Sequence, residues 1–440
     1  MFGTPPTKKL VKWLEHSAAL RDGSVDWKRQ YRIRNNWDRG SATFQEVEVA
    51  LPPTASVLAK VHRGLIFTVD ACSGLRSWSQ KDGRKQLLHR HILEGQRTPL
   101  CLAISDYQGS THAAIGFDDG SLRLYDFDND NGFAEQLKYS GAGQSPTIAV
   151  ALSMPYVMAM TKAKHIYLLQ LSETEHDVAS RWTTSTLTTL HADAPLQPAA
   201  LSLRCTASNI VATISYAFNQ LHAGWCLGLQ EVRLSMKGGL LASRLTSTID
   251  TPLEARYRGR KQWDVSSRSA SSTPLSTPFA LDPWLKSPPT SLSYSHPFLL
   301  ASLPDNTIMS YVVTSDDDKL EISTGKRLWG HTSAISGAEV SNRGKAVSVS
   351  AKGEEIRVWE LEEALTTPGR GRASTEVKPR SGALDVAAAI ARRGSGLGLA
   401  LKEMQRELAL TRRWVGFDDE QVVIMGERDQ RQIMACYDFT

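Results

Sequence analysis

Long apolar runs are absent from this chain. No stretch of 18 apolar residues occurs in its 440 positions, which argues against a membrane-spanning helix. The opening residues, Met-Phe-Gly-Thr-Pro-Pro-Thr-Lys-Lys, lack the apolar segment of a secretory signal. Cysteine is scarce: Cys72, Cys101, Cys205, Cys226 and Cys436 are scattered, odd in number and without CxxC spacing. That argues against a disulfide framework and for a reducing compartment. An excess of one charge is missing too, with 51 basic and 46 acidic residues and a net charge of +5. Neither nucleic acid nor anionic lipid is called for. These absences together predict a soluble, intracellular protein of the cytoplasm or nucleus, with no membrane or nucleic-acid partner.

Catalytic signatures are equally sparse. There is no Walker A sequence, no Gly-x-Ser-x-Gly elbow and no His-Glu-x-x-His pair. Gly394-Ser-Gly-Leu-Gly398 echoes a dinucleotide loop, but no strand precedes it and no βαβ unit surrounds it. His89 and His91 could share a metal, yet no third ligand lies near; exposed loop histidines are the expectation. The chain is read as a non-enzyme with no cofactor and no metal.

What is present is strand grammar. Hydrophobic residues make up 41% and charged residues 22%, the composition of a foldable globular protein. The stretch from Leu328 to Leu361 holds three short runs of period 2, the strand period, separated by turn-like 341–344 and 352–354. Gly330-His331 opens this unit and Trp359-Glu360 closes it. The pattern resembles a WD repeat, one four-stranded blade of a β-propeller. One repeat cannot bury both faces of its small sheet, so neighbours must exist.

They can be walked by pairs of strands. Leu65–Val69 with Gly74–Trp78 comes first, then Ala113–Asp126, Tyr156–Met160 with His165–Gln170, and a vaguer Asn209–Ile214 with Trp225–Leu234. Pro297–Ala301 with Asn306–Tyr311, the Leu328–Leu361 unit, and Gln421–Met425 with Gln432–Asp438 complete seven. Trp78 to Tyr125 is 47 residues, Tyr125 to Leu169 is 44 and Tyr311 to Trp359 is 48, close to the roughly 40–45 of such blades. Two longer gaps contain insertions: Ser/Thr/Pro-rich 264–290, and 366–400, which is followed by a helix expected near Leu399–Leu410. Thr273, Thr277, Ser287 and Thr367 precede prolines there and could accept phosphate. Arginines 370, 372, 380, 392 and 393 make the second insertion basic, either a solvated loop or a dock for an acidic partner. The last repeat lacks an outer strand, and the alternating Thr43–Ala50 can supply it, closing the ring.

The expected fold is therefore all-β, a seven-bladed WD-repeat-like propeller over 43–440. A helical N-terminal extension, 1–42, precedes it, and 264–290 and 366–400 are disordered insertions. A short helix is expected over Lys8–Leu20. Residues 26–40, Asp-Trp-Lys-Arg-Gln-Tyr-Arg-Ile-Arg-Asn-Asn-Trp-Asp-Arg-Gly, interleave Trp27, Tyr31 and Trp37 with arginines. A helix packing those three aromatics on a neighbouring domain is expected; the alternative is a stacking platform for single-stranded nucleic acid. The same residues resemble the linker between F-box and propeller in fungal F-box/WD-repeat proteins. Trp414–Met425 and the closing Cys-Tyr-Asp-Phe-Thr resemble that group's last blade.

The resemblance implies the substrate-recruiting receptor of an SCF-type ubiquitin ligase, monomeric within its complex, with a protein substrate on the propeller face. Only 25 residues precede Asp26, without a Leu-Pro opening, so the F-box is expected to be missing from this chain. The SCF adaptor is then a partner only if an F-box is restored upstream. A propeller scaffold without a ligase link is the alternative. In WD repeats an Asp before the third strand bonds the Gly-His histidine. Asp119 and Asp305 fill that position, but Gly353 does so in the repeat holding His331. The histidine network is expected to be incomplete everywhere. Asp119, Tyr125, Asp126, Asp305, Gly330, His331 and Trp359 are read as structural.

Overall fold

The computed structural model describes residues 26–50, 57–81, 84–95, 97–140, 145–173, 182–191, 198–220, 224–249, 287–351, 355–362, 374–379, 411–428 and 431–440. The expected Lys8–Leu20 helix, the helix near Leu399–Leu410, the Gly394–Gly398 echo, Gly353, Thr273, Thr277 and Thr367 lie outside them, as do nearly all of both insertions. Ser287 is described and exposed.

Seven antiparallel sheets follow one another along the chain. Blade 1 spans 58–91, blade 2 99–140, blade 3 147–191, blade 4 199–247, blade 5 291–328 and blade 6 335–376. Blade 7 is composite. Thr411–Phe417, Gln421–Arg428 and Arg431–Asp438 supply its first three strands, and Ser41–Ala50 its fourth. Phe44 stands opposite Tyr437 and Val47 opposite Met434 in that pairing. The inner strand of each blade neighbours the inner strands of the next, so the ring closes on itself.

The strands form because both faces of every blade are buried. In blade 7, Val422 and Ile424 face blade 6 while Val423 and Met425 face blade 1. In blade 6, Val347 and Val349 face blade 7 while Ala346 faces blade 5. Seven hydrophobic clusters result, one at each interface between neighbouring blades. No blade can keep its core without two neighbours.

Outer strands carry a recurring irregularity. In blades 1 to 4 one extra residue is inserted against the third strand: Leu88, Gln136, Leu187 and Leu241. In the first three blades the insertion sits beside the Trp78, Tyr125 or Leu169 position. Val49 does the same in blade 7. Each is a β-bulge, which bends a strand and unpairs its ladder locally.

Among the described residues one helix, α1 (Trp27–Arg39), precedes the ring. Asp26 caps it by accepting a bond from the Arg29 amide, and Gly40 ends it in the left-handed region at φ 64°. Among the described residues no helix is long and apolar enough to cross a membrane.

Candidate interaction surfaces

Because strands alternate in direction, each blade offers turns to two faces of the ring. Turns between first and second strands define a lower face; turns between second and third define an upper one. Helix α1 lies on the lower face, at blades 6 and 7. Ile33, Asn36 and Trp37 are buried there. Trp37 stacks on Phe439 at 3.8 Å with planes 7° apart, and its Nε1 donates to the Asp419 carbonyl at 2.9 Å. Asn36 donates to the Phe439 carbonyl at 2.7 Å. The Lys345 ammonium lies 4.2 Å from the Trp37 ring centre, a cation–π contact. Burial pushes the Lys345 amine below its usual value, against the opposing pull of Glu360, Asp419 and Asp38. At the helix edge Arg29 pairs with Glu420 at 2.9 Å.

The helix end is fixed by backbone. Lys378 donates to the Gly40 carbonyl at 2.6 Å, and a Cβ at Gly40 would come within 2.0 Å of the Glu376 carbonyl oxygen. Thr375–Glu376 pairs with blade 6, Lys378–Pro379 pairs with the Ser41 end of blade 7, and Val377 is buried between them. This short segment links the third strand of blade 6 to the outer strand of blade 7 beneath the helix. The packing expected of three aromatics is made by Trp37 alone. Trp27 and Tyr31 are 59% and 75% exposed, because the ring meets the side of α1 that carries positions 33, 36 and 37.

The upper face shows what became of the expected histidine network. In blade 6 Trp359 Nε1 donates to Ser348 Oγ at 2.8 Å, and that hydroxyl is hydrogen-bonded to His331 Nε2 at 2.6 Å. His331 Nδ1 is 3.4 Å from Glu355 Oε2, longer than a good hydrogen bond. The Thr332 amide and hydroxyl hold Glu355 in place. Nδ1 is left without a hydrogen-bond partner in this blade, and Glu355, two residues beyond Gly353, only stands near the place of the missing aspartate. Gly330 is needed for contact, since a Cβ there would approach Ser374 Oγ to 2.9 Å.

Elsewhere arginine replaces histidine. Asp119 accepts from Arg97 at 2.9 Å and from the Ser121 amide and hydroxyl. Asp305 pairs with Arg327 and accepts from Thr307. Asp70 pairs with Arg76 in blade 1, where Trp78 still donates to Thr68. Tyr125 takes the tryptophan position in blade 2, fully buried, its hydroxyl donating to Glu135 at 3.1 Å. Asp126 lies at 2.6 Å from Nδ1 of buried His112, a partner the sequence reading missed. His89 and His91 sit on an outer strand rather than a loop. His89 bonds the Asn129 carbonyl, and His91 packs on Tyr125.

Burial pushes the His331 imidazole from its ordinary 6.5 down to about 4, helped by Arg357 and opposed by Glu355. A depressed folded value means that the unfolded chain takes the proton first as pH falls. Stability should therefore drop between pH 6.5 and 4 by about 3 kcal/mol from this group. Urea midpoints at pH 7 and 4.5 check it. The drop should be smaller by that amount in His331→Gln, and equal drops in both proteins would refute the assignment.

Among the described residues no group of three or more His, Cys, Asp or Glu side chains is placed to hold a metal ion. Lys60 and Glu339, 3.3 Å apart, join the inner strands of blades 1 and 6 past Gly416 of blade 7. Exposed aromatic surface on the upper side is concentrated at Trp329, 62% exposed, with the Arg327 guanidinium 4.6 Å from its ring centre.

No curated protein matches the chain. Among solved structures, the β-propeller domain of Cps50 (Swd1) from Myceliophteria thermophila aligns with a TM-score of 0.47 and 10% identity, covering 90% of this chain and 100% of that one. The WD40 propeller domain of Doa1 aligns at 0.44 and 10%, covering 90% and 97%. A family described as the F-box protein pof12 beta-propeller matches residues 42–440. That match takes in all seven blades, including the closing strand, and the chain belongs to the F-box protein pof12 β-propeller family.

Proposed function

We propose that this propeller is the substrate-recruiting part of an SCF-type E3 ubiquitin ligase receptor, working by binding alone. The observation that carries the reading is the seating of α1. Trp37, Asn36 and Gly40 fasten the polypeptide just ahead of the ring to its lower face, at the blade where the ring closes. A module joined ahead of α1 would be held at a fixed orientation, with the upper face and Trp329 left for a protein substrate. Preorganisation of that kind favours transfer between two bound proteins without any bond chemistry by the ring. Repeat propellers offer rigidly held turns suited to protein partners. Without an F-box ahead of α1 the same ring would serve as a scaffold.

The test is a pull-down of the 440-residue chain and of the same chain extended by its upstream reading frame, probed for the SCF adaptor. Capture by the extended form alone supports the receptor reading. No capture by either form leaves a scaffold propeller.

A further inference from the structure

Helix α1 has two sides, and the ring uses only one. The other carries Trp27 and Tyr31, four residues apart and therefore neighbours on adjacent turns. At 59% and 75% exposed they are the most conspicuous aromatic pair on any described element. Lys28, Arg32 and Arg39 follow the same helical spacing along one flank, all exposed, and Arg34 is exposed as well. Asp26 and Asp38 are the exposed acids of this region, so the strip has four basic residues against two acidic. Trp, Tyr and Arg are the side chains that dominate binding hot spots. Here they sit on an element whose opposite side is locked, which lowers the ordering cost of binding.

We propose that this outward strip docks an acidic amphipathic helix of a partner protein. Its apolar residues would cover Trp27 and Tyr31, and its carboxylates would meet Lys28, Arg32 and Arg39. The charge balance selects this occupant. The chain's own residues 8–20 hold Lys8, Lys9 and Lys12 against Glu15, like charge facing like. A second copy of α1 would bring the same excess. Single-stranded nucleic acid needs a basic groove that tracks its backbone and a series of stacking rings. A 13-residue helix about 20 Å long with two rings offers neither, but it matches the length of one packed helix. The proposal does not depend on the ligase reading and survives its failure.

The probe is a labelled, end-capped 20-residue helical peptide with leucines on one face and glutamates elsewhere, titrated against the full chain by fluorescence anisotropy at low salt. Wild type should bind it. Trp27→Ser with Tyr31→Ser should weaken binding about tenfold or more, as should Lys28→Glu with Arg32→Glu. Both variants should keep the wild-type unfolding midpoint, because these side chains are exposed. Equal affinity of wild type and both variants overturns the proposal. A uridine 12-mer bound more tightly than the peptide, and lost in the same variants, would overturn it in favour of nucleic acid. A dimer in sedimentation that the aromatic variant dissolves would identify a second copy as the occupant.

Discussion

Trp37→Ala should cost the protein about 3–5 kcal/mol of stability, the range for removing a fully packed large aromatic. Three interactions end together in this variant. The stack on Phe439 is lost, the Asp419 carbonyl loses its donor, and the ammonium of buried Lys345 loses the ring it lies over. The last loss is the reason to expect the upper end of the range, since a desolvated cation–π contact is worth about 2 kcal/mol. Trp37→Phe keeps the stack and removes the indole donor, so it should cost only about 1 kcal/mol. Limited trypsin digestion gives an independent readout. Helix α1 contains Lys28 and four arginines, and cleavage within it should be fast in Trp37→Ala and slow in Trp37→Phe. A Trp37→Ala protein with a wild-type urea midpoint and a protected helix would show that α1 is not held by this residue.

Glu231→Gln should be as damaging, for an electrostatic reason. Glu231 has no exposed side-chain surface, although it is a carboxylate in the middle of a strand. Arg233 lies 2.8 Å away, Arg244 2.6 Å and Arg204 3.7 Å, and Ser315 of blade 5 donates at 2.6 Å. Arg233 reaches on to Asp317 and the Asp316 carbonyl, so the cluster binds blade 4 to blade 5. Burial alone would raise the Glu231 carboxyl; the Ser315 bond and the arginines outweigh it and hold it below the usual carboxylate range. Removing its charge leaves three partly buried guanidinium groups facing one another, at a cost of about 3–5 kcal/mol. A depressed carboxylate gives stability that is present above its unfolded value and lost as pH falls through the lower folded one. Wild type should therefore lose this contribution below the usual carboxylate range, and Glu231→Gln should not. Matching acid-unfolding curves for the two proteins would contradict the assignment.

The contrast between these two residues explains what could be read in advance. Blade boundaries were legible because both faces of each sheet are apolar, leaving strands such as Val422–Met425 recognisable one by one. The closing strand was legible for the same reason, as Thr43–Ala50 alternates. Buried charge was not. Glu231 looks like a solvent-facing residue until Ser315 and Asp317, more than 80 positions away, are brought beside it. The three aromatics of α1 are likewise equivalent on paper. Only the location of the Asp418–Glu420 turn and Phe439 decides that Trp37 turns inward and Trp27 outward. In blade 6 the acid nearest His331 is Glu355, two positions beyond Gly353, and it comes only to 3.4 Å from Nδ1.

The extra residues at Leu88, Gln136, Leu187, Leu241 and Val49 have a consequence for how the molecule meets others. A closed ring sends all its outermost strands to the perimeter, where an uninterrupted row of amide and carbonyl groups would invite a foreign strand to join. Each kink interrupts that row after a few residues, and the clip at 375–379 covers part of the blade 7 rim and of the third strand of blade 6. Sideways growth into ribbons or stacks is thereby discouraged. Recognition is left to side chains: those on the turns of the two flat faces, and those on the free side of the helix.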